Sequence, residues 1–61
     1  MIRPIDVQRL QDFARQNRAI ALLVERIGKG KKGKTREVYD RSAKELRRQA
    51  SAAERFIGAE A

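Results

Sequence analysis

The chain has 61 residues, and its fifteen lysines and arginines outnumber eight acidic residues to give a formal charge of +7. Cysteine and histidine are both absent, so disulfides are excluded and only carboxylates remain as metal ligands; we expect no metal and no cofactor. A chain of this length is expected to form one domain, residues 1–61, whose small core would be stabilised by oligomerisation or by docking on a larger partner. The longest apolar run, Ala19 to Val24, is far shorter than the ~20 residues that cross a bilayer, which predicts a soluble, cytoplasmic protein without membrane contact.

The first predicted element is a helix over about residues 5–27, in which apolar residues recur at steps of three and four. In heptad notation the a positions are Leu10, Asn17 and Val24, the d positions are Phe13, Ile20 and Ile27, and Ala14, Ala21 and Leu23 flank them. This stripe is wider than a two-stranded coiled coil needs and is typical of a bundle helix buried on two sides. Asn17 is predicted to fix the register by pairing with its symmetry mate or with Gln49.

A basic loop is predicted over residues 28–34, which hold four of the five lysines and no acidic residue. Residues 28–35, GKGKKGKT, also satisfy the spacing of the phosphate-binding loop of nucleotide hydrolases. That loop joins a buried strand to a helix, whereas here a helical period leads into it and no apolar strand ending in Asp follows. We therefore expect no nucleoside triphosphate and interpret the glycines as a chain reversal between two helices.

The second predicted helix covers about residues 35–57, with Thr35 as its N-cap and Gly58 as its terminator. The residues expected to face the first helix are Tyr39, Ala43, Leu46, Ala50, Ala53 and Ile57. Three of these six are alanines, which bury little area, so large side chains of the first helix are expected opposite them. The pairs Glu37–Arg41 and Asp40–Lys44 are expected to form ion pairs within the helix.

Two helices of equal length joined by a glycine-rich loop predict an all-α fold, an antiparallel two-helix hairpin. One hairpin cannot cover the wide apolar stripe, so the sequence favours a homodimer that forms a four-helix bundle. The residues expected at the dimer or partner interface are Leu10, Phe13, Asn17, Ile20, Leu23, Val24, Ile27, Leu46 and Ile57.

The candidate residues for binding nucleic acid or another anion are basic side chains of the loop and of the second helix: Lys29, Lys31, Lys32, Lys34, Arg41, Lys44, Arg47 and Arg48. No histidine, no cysteine and no hydroxyl beside a candidate base offers a catalytic residue, so we expect no enzyme. The first hypothesis is a regulatory or accessory protein of bacterial, plasmid or phage type that binds the phosphate backbone of DNA or RNA. The alternative is an adaptor or inhibitor that docks an apolar helical face on a larger protein, whose acidic surface could also receive the basic loop. The loop alone is equally consistent with a solvated connector.

Overall fold

The fold is a hairpin of two antiparallel helices, shown by a computed structural model that describes residues 3–60. Helix α1 covers Pro4–Gly28, helix α2 covers Gly33–Glu60, and residues 29–32 connect them. This part of the chain contains no strand, which confirms the predicted all-helical hairpin. The Cα atoms extend over 46 × 15 × 10 Å, so the hairpin is a rod. Neither helix of the described residues has an apolar stretch long enough to cross a membrane.

Both helices extend further than the apolar pattern predicts. Helix α1 begins at Pro4, whose ring suits the first helical position, and Asp6 lies in the first turn. There the Asp6 carboxylate accepts a hydrogen bond of 3.0 Å from the Arg3 guanidinium. Helix α2 continues past Gly58, so this glycine does not terminate it as predicted. The loop predicted over residues 28–34 is a shorter turn, residues 29–32.

The start of α2 differs from the prediction for a physical reason. Gly33 has a φ of +62°, in the left-handed region that costs other residues ~1–2 kcal/mol. A glycine conformation therefore completes the chain reversal, and the helix begins at Gly33. Thr35 consequently lies within the first turn, and its prediction as the N-cap is wrong.

Helix α1 faces α2 mainly with its small residues. Those buried are Ala14, Asn17, Ala21 and Gly28, and Leu10 packs against a cluster of Ala14, Ala50 and Ala53. The predicted d positions Phe13, Ile20 and Ile27 are instead 43–46% exposed. The heptad positions that face α2 are thus a and e rather than a and d. The expectation that Phe13 and Ile20 pack opposite the alanines of α2 is wrong.

Small residues on both helices allow a close approach of the two backbones. Near the turn, a Cβ atom added to Gly28 would lie only 2.8 Å from the Cβ atom of Tyr39. The buried residues of α2 are Ala43, Ala50 and Ala53, and no large side chain of residues 3–60 is fully buried. Because apolar burial stabilises in proportion to area, an alanine core gives a single hairpin little stability.

One edge of the helix pair is closed by polar contacts, and we call it the polar edge: Arg18 and Glu25 of α1 with Arg47, Ser51 and Glu54 of α2. The Arg18 guanidinium pairs with the Glu54 carboxylate and donates a hydrogen bond of 3.3 Å to the Ser51 hydroxyl. The hydrogen bond from Arg18 lowers the pKa of the Glu54 carboxyl below its ordinary value. A second ion pair across the helices joins Arg47 to Glu25.

The buried amide of Asn17 finds its partner inside the same hairpin. Its Nδ2 atom donates a hydrogen bond of 3.2 Å to Oε1 of Gln49, and Asn17 is 8% exposed. Of the two partners that the sequence left open, the structure shows Gln49. Asn17 therefore contributes to the pairing of α1 with α2 and is not presented on the outer surface.

Candidate nucleic-acid interface

The turn between the helices is compact and leaves its lysine side chains outside. The backbone N–H groups of residues 29–31 donate to the carbonyls of Glu25, Ile27 and Gly28 at 3.0–3.1 Å. Two of these bonds span three residues, which tightens the end of α1 in the manner of a 3₁₀ turn. The exposed lysines, which we call the lysine turn, are Lys29, Lys31, Lys32 and Lys34.

In the described part of the chain, ion pairs compensate six of the ten arginines but none of the lysines. Among the residues that the structure describes, the cation of every ion pair is an arginine. The acidic partners of these arginines are Asp6, Asp12, Glu25, Asp40, Glu45 and Glu54. Of the acidic side chains with a described position, only Glu37 remains outside these pairs. The positive charge of the lysine turn is therefore uncompensated within the hairpin.

The first turn of α2 adds to this local excess of positive charge. It contains Lys34 and Arg36 and no acidic residue. The amide N–H groups at a helix N-terminus carry partial positive charge, and a nearby anion stabilises them by roughly 0.3–1 kcal/mol. Cations at this position oppose the helix dipole instead. Such a local conflict is typical of functional sites, and a bound anion would relieve it.

The four predicted cations of α2 that lie beyond the lysine turn divide into two pairs. Arg47 is bound to Glu25 across the helices, and Arg48 donates hydrogen bonds to Glu45, which lowers the pKa of that carboxyl. Arg41 and Lys44 are exposed and form no ion pair among residues 3–60; in particular Asp40 pairs with Arg36 at 4.0 Å rather than with Lys44. The predicted ion pair between Glu37 and Arg41 is likewise not observed in the described residues.

A shallow groove on the side of the polar edge continues the basic surface away from the turn. Its lining residues are Glu25, Lys29, Arg36, Asp40, Lys44 and Arg47. Lys29 and Lys44 are the two lining cations without an ion pair in the described part of the chain. The groove therefore brings one predicted residue of the turn and one of α2 to the same surface. Sequence reasoning missed Arg36, although its spacing of four from Asp40 was a usable signal.

The side opposite the polar edge is apolar and open. We call it the apolar face and define it by Phe13, Ile20, Leu23 and Ile27 of α1 with Val38, Leu46 and Phe56 of α2. Helical geometry places these residues on the sides of α1 and α2 that point away from the ion pairs of the polar edge. On α2 the Glu45 carboxylate, which is paired with Arg48, lies beside Leu46. Six of the seven are 43–56% exposed, and Leu46 is half-buried at the border with α2's alanines.

The predicted interface residues are thus divided between two locations. Phe13, Ile20, Leu23, Ile27 and Leu46 lie on the apolar face. Half-buried positions along the line between the helices are occupied by Leu10, Val24 and Ile57, and Asn17 is buried there. A single hairpin therefore uses part of the wide stripe for its own pairing and leaves the other part uncovered.

The described residues contain no group of three or more acidic side chains that could hold a metal ion. No protein-family model matches the chain, and neither the curated proteins nor the solved structures contain a significant match. The proposal of a function therefore starts from the charges and the geometry of the hairpin.

Proposed function

We propose that the chain is a non-enzymatic protein that binds the phosphate backbone of DNA or RNA with its lysine turn, in a regulatory or accessory role. The observation that carries this proposal is the distribution of ion pairs. In the described part of the chain six of the ten arginines are paired with carboxylates, whereas none of the four lysines of the turn is. Arg41 and Lys44 extend the same uncompensated surface along α2.

The chemistry of the site favours contact with phosphates over recognition of bases. Lysine ammonium groups are mobile point charges, and binding them to phosphates releases condensed counterions from the nucleic acid. The aromatic residue nearest the turn, Tyr39, is half-buried against Gly28 and so offers no ring for base stacking. We therefore expect binding with little dependence on base sequence and strong dependence on salt.

We further propose that the binding form is a homodimer, a four-helix bundle closed over the apolar face. The chain exposes 4958 Å² of surface. A folded monomer of 7.0 kDa exposes about 4,000 Å², and the excess of roughly 900 Å² resembles the ~800 Å² that each partner buries in a standard interface. An alanine core between two helices also needs such additional burial.

A quadruple variant tests the role of the lysine turn: Lys29→Gln, Lys31→Gln, Lys32→Gln and Lys34→Gln. Binding to a short fluorescent duplex and to a structured RNA is followed by anisotropy between about 50 and 200 mM salt. We expect the slope of log K against log salt to fall by about 3–4, close to one unit for each lysine. Circular dichroism should show unchanged helix content, because all four side chains are exposed.

The matched control removes four charges from the other half of the rod: Arg3→Gln, Arg9→Gln, Arg15→Gln and Arg55→Gln. Both variants lower the formal charge from +7 to +3, since each loses four cations. The control should keep most of the affinity and most of the salt slope. Equal losses in both variants would mean that overall charge alone binds the nucleic acid. Absence of binding by the wild-type protein at low salt would overturn the proposed function itself.

A second candidate function is a docking module that covers the apolar face with a larger protein partner. It is supported by the exposure of Phe13, Ile20 and Phe56, each between 43 and 52%. Wild-type protein that stays monomeric and binds neither DNA nor RNA at low salt would favour this candidate. In that case the lysine turn would contact an acidic surface of the protein partner.

A further inference from the structure

We infer that two copies pair through their apolar faces in antiparallel orientation, which points the lysine turns toward opposite ends of the dimer and lets one dimer hold two nucleic-acid segments. The antiparallel pairing follows from side-chain spacing and charge. The binding of two segments rests in addition on the proposed function.

The spacing of α1 is self-complementary about Ile20. Phe13 precedes it by seven residues and Ile27 follows it by seven, so each lies about 10.5 Å from it along the helix. A two-fold axis through Ile20, perpendicular to the rod, therefore brings Phe13 of one copy over Ile27 of the second. Ile20 then meets its own counterpart. This is the arrangement of an isologous interface, in which one patch serves both copies.

Helix α2 repeats this symmetry at the same level of the rod. Gly28 of α1 contacts Tyr39 of α2, so these two residues lie at the same level of the rod. Eight residues before Gly28 is Ile20, and eight residues after Tyr39 is Arg47. Because the helices are antiparallel, Ile20 and Arg47 also lie at one level. Phe56 follows Arg47 by nine residues and Val38 precedes it by nine. The axis that pairs Phe13 with Ile27 therefore also pairs Phe56 with Val38, both of which are more than half exposed. The Phe13–Ile27 and Phe56–Val38 contacts then each join an aromatic ring to a β-branched side chain.

The charge of the turns selects between antiparallel and parallel pairing. Residues 28–34 carry a charge of +4 in each copy, with no acidic residue among them. A parallel dimer would bring two such turns to one end. Antiparallel pairing about Ile20 separates them by about 30 Å, because residue 31 lies eleven residues from the axis. This distance is still well beyond the Debye length of about 8–10 Å at physiological salt.

A second copy also fits the size of the face and leaves the basic surface accessible. The rod is 46 Å long and 15 Å wide, a footprint of about 700 Å², which is near the ~800 Å² per partner of a standard interface. The polar edge and its basic groove lie on the opposite side, so pairing covers neither. Each end of the dimer then presents its own lysine turn, and a nucleic-acid segment at one end does not occupy the other.

Spin labels at single cysteines test the arrangement, because the chain has no cysteine of its own. Lys31→Cys places a label in the turn, and Ala19→Cys places one near the proposed axis. Pulsed dipolar spectroscopy should give about 30 Å or more between turn labels and below about 20 Å between labels at position 19, given the helix rise and diameter. Two short distances would mean a parallel dimer, and no dipolar signal from either variant would mean no dimer; each result overturns the inference.

Co-capture of two duplexes tests the second part. A biotinylated duplex on beads should retain a fluorescent duplex in the presence of wild-type protein, and the quadruple lysine-to-glutamine variant should retain none. Binding of single duplexes without co-capture would overturn the two-segment inference while leaving the proposed function intact. A long distance between turn labels without any duplex binding would instead refute the proposed function and keep the antiparallel dimer.

Discussion

The polar edge and the apolar face are two sides of the same helix pair, and they differ in whether the chain completes its own contacts. On the polar edge, Arg18 meets Glu54 and Arg47 meets Glu25, so charged groups are paired within one hairpin. On the apolar face, Ile20 and Leu23 remain 46% and 52% exposed. The difference indicates that hairpin geometry is specified within the chain, while most of its large apolar side chains stay outside the contact between the two helices.

The small residues along the contact between the two helices explain why the large apolar side chains remain exposed. Ala14, Ala21 and Gly28 on α1 meet alanines on α2, and such residues give proximity rather than buried area. A Leu or Phe fully removed from water contributes roughly 1.5–3 kcal/mol. The side chains able to provide that amount lie on the apolar face. Covering of the apolar face in the proposed dimer would therefore contribute more to stability than the contact between the two helices.

The largest effect is expected from a charge at the centre of the apolar face. Ile20→Asp would place two carboxylates against each other at the proposed two-fold axis, without partners. Burying such groups should cost the dimer more than about 3 kcal/mol, or over 100-fold in dissociation constant. Sedimentation equilibrium should then show monomers, and urea unfolding should lose its cooperativity.

Leu22→Asp is the matched control for this substitution. Leu22 is also exposed, at 58%, but lies on the outer side of α1 beside Glu25, Arg26 and Lys29. The control should remain dimeric, and its new carboxylate lies close to cations. If both variants behave alike, or if wild-type protein is already monomeric, the apolar face is not a dimer interface.

The sequence predicted the two helices and their antiparallel pairing because apolar periodicity and a glycine-rich turn are local signals. It assigned the wrong side of α1 to α2, because large apolar residues were expected at the contact. The distinction between positions such as Phe13 and Ala14 depends on how closely the backbones approach. That distance is set by both helices together, through pairs such as Gly28 with Tyr39, and no single segment encodes it.

A second, smaller effect tests this close approach directly. Gly28→Ala would place a Cβ atom 2.8 Å from the Cβ of Tyr39, which no rotation of the Tyr39 side chain can relieve. Overpacking of this kind costs about 1–3 kcal/mol, which exceeds the gain of up to about 1 kcal/mol from higher helix propensity. We expect a net loss of about 1 kcal/mol in the free energy of unfolding, measured by urea denaturation.

Gly58→Ala is the control, since a Cβ atom at that position meets no atom within 4 Å. The helix continues past this residue, so alanine should stabilise it by up to about 0.5–1 kcal/mol. Opposite signs at the two glycines would support the close approach of the helices. Stabilisation by both substitutions would show that the turn end of the hairpin is looser than described.

The candidate site was predictable only where it depends on local sequence. The lysine turn is a local cluster, so its four residues could be named from the sequence. The neutralisation of Arg47 and Arg48 was not predicted. Arg47 depends on the register that places Glu25 across from it, and Arg48 on a choice among several nearby carboxylates. Whether a cation is neutralised depends on which carboxylate lies beside it in the folded hairpin, and sequence periodicity describes that poorly.

The smallest effect is expected on the polar edge, where acid should weaken the cross-helix pair. The Arg18 guanidinium holds the pKa of Glu54 below its ordinary value, chiefly through their hydrogen bond. Ionised Glu54 therefore stabilises the folded hairpin fully above the pKa of an unfolded glutamate. This contribution is lost as the pH falls through the lowered pKa of the folded state. Both groups are exposed, so the contribution is small.

Urea midpoints at neutral and acidic pH, for wild type and Glu54→Gln, measure this contribution. The difference between the two proteins should shrink in acid, because protonated Glu54 no longer accepts the Arg18 hydrogen bonds as a carboxylate. Glu37→Gln is the control, since Glu37 forms no ion pair in the described part of the chain. Its difference from wild type should not shrink in the same way. A constant Glu54→Gln difference at both pH values would mean that the polar edge is closed by the packing of its side-chain stems, and that its charges contribute nothing to the pairing of the helices.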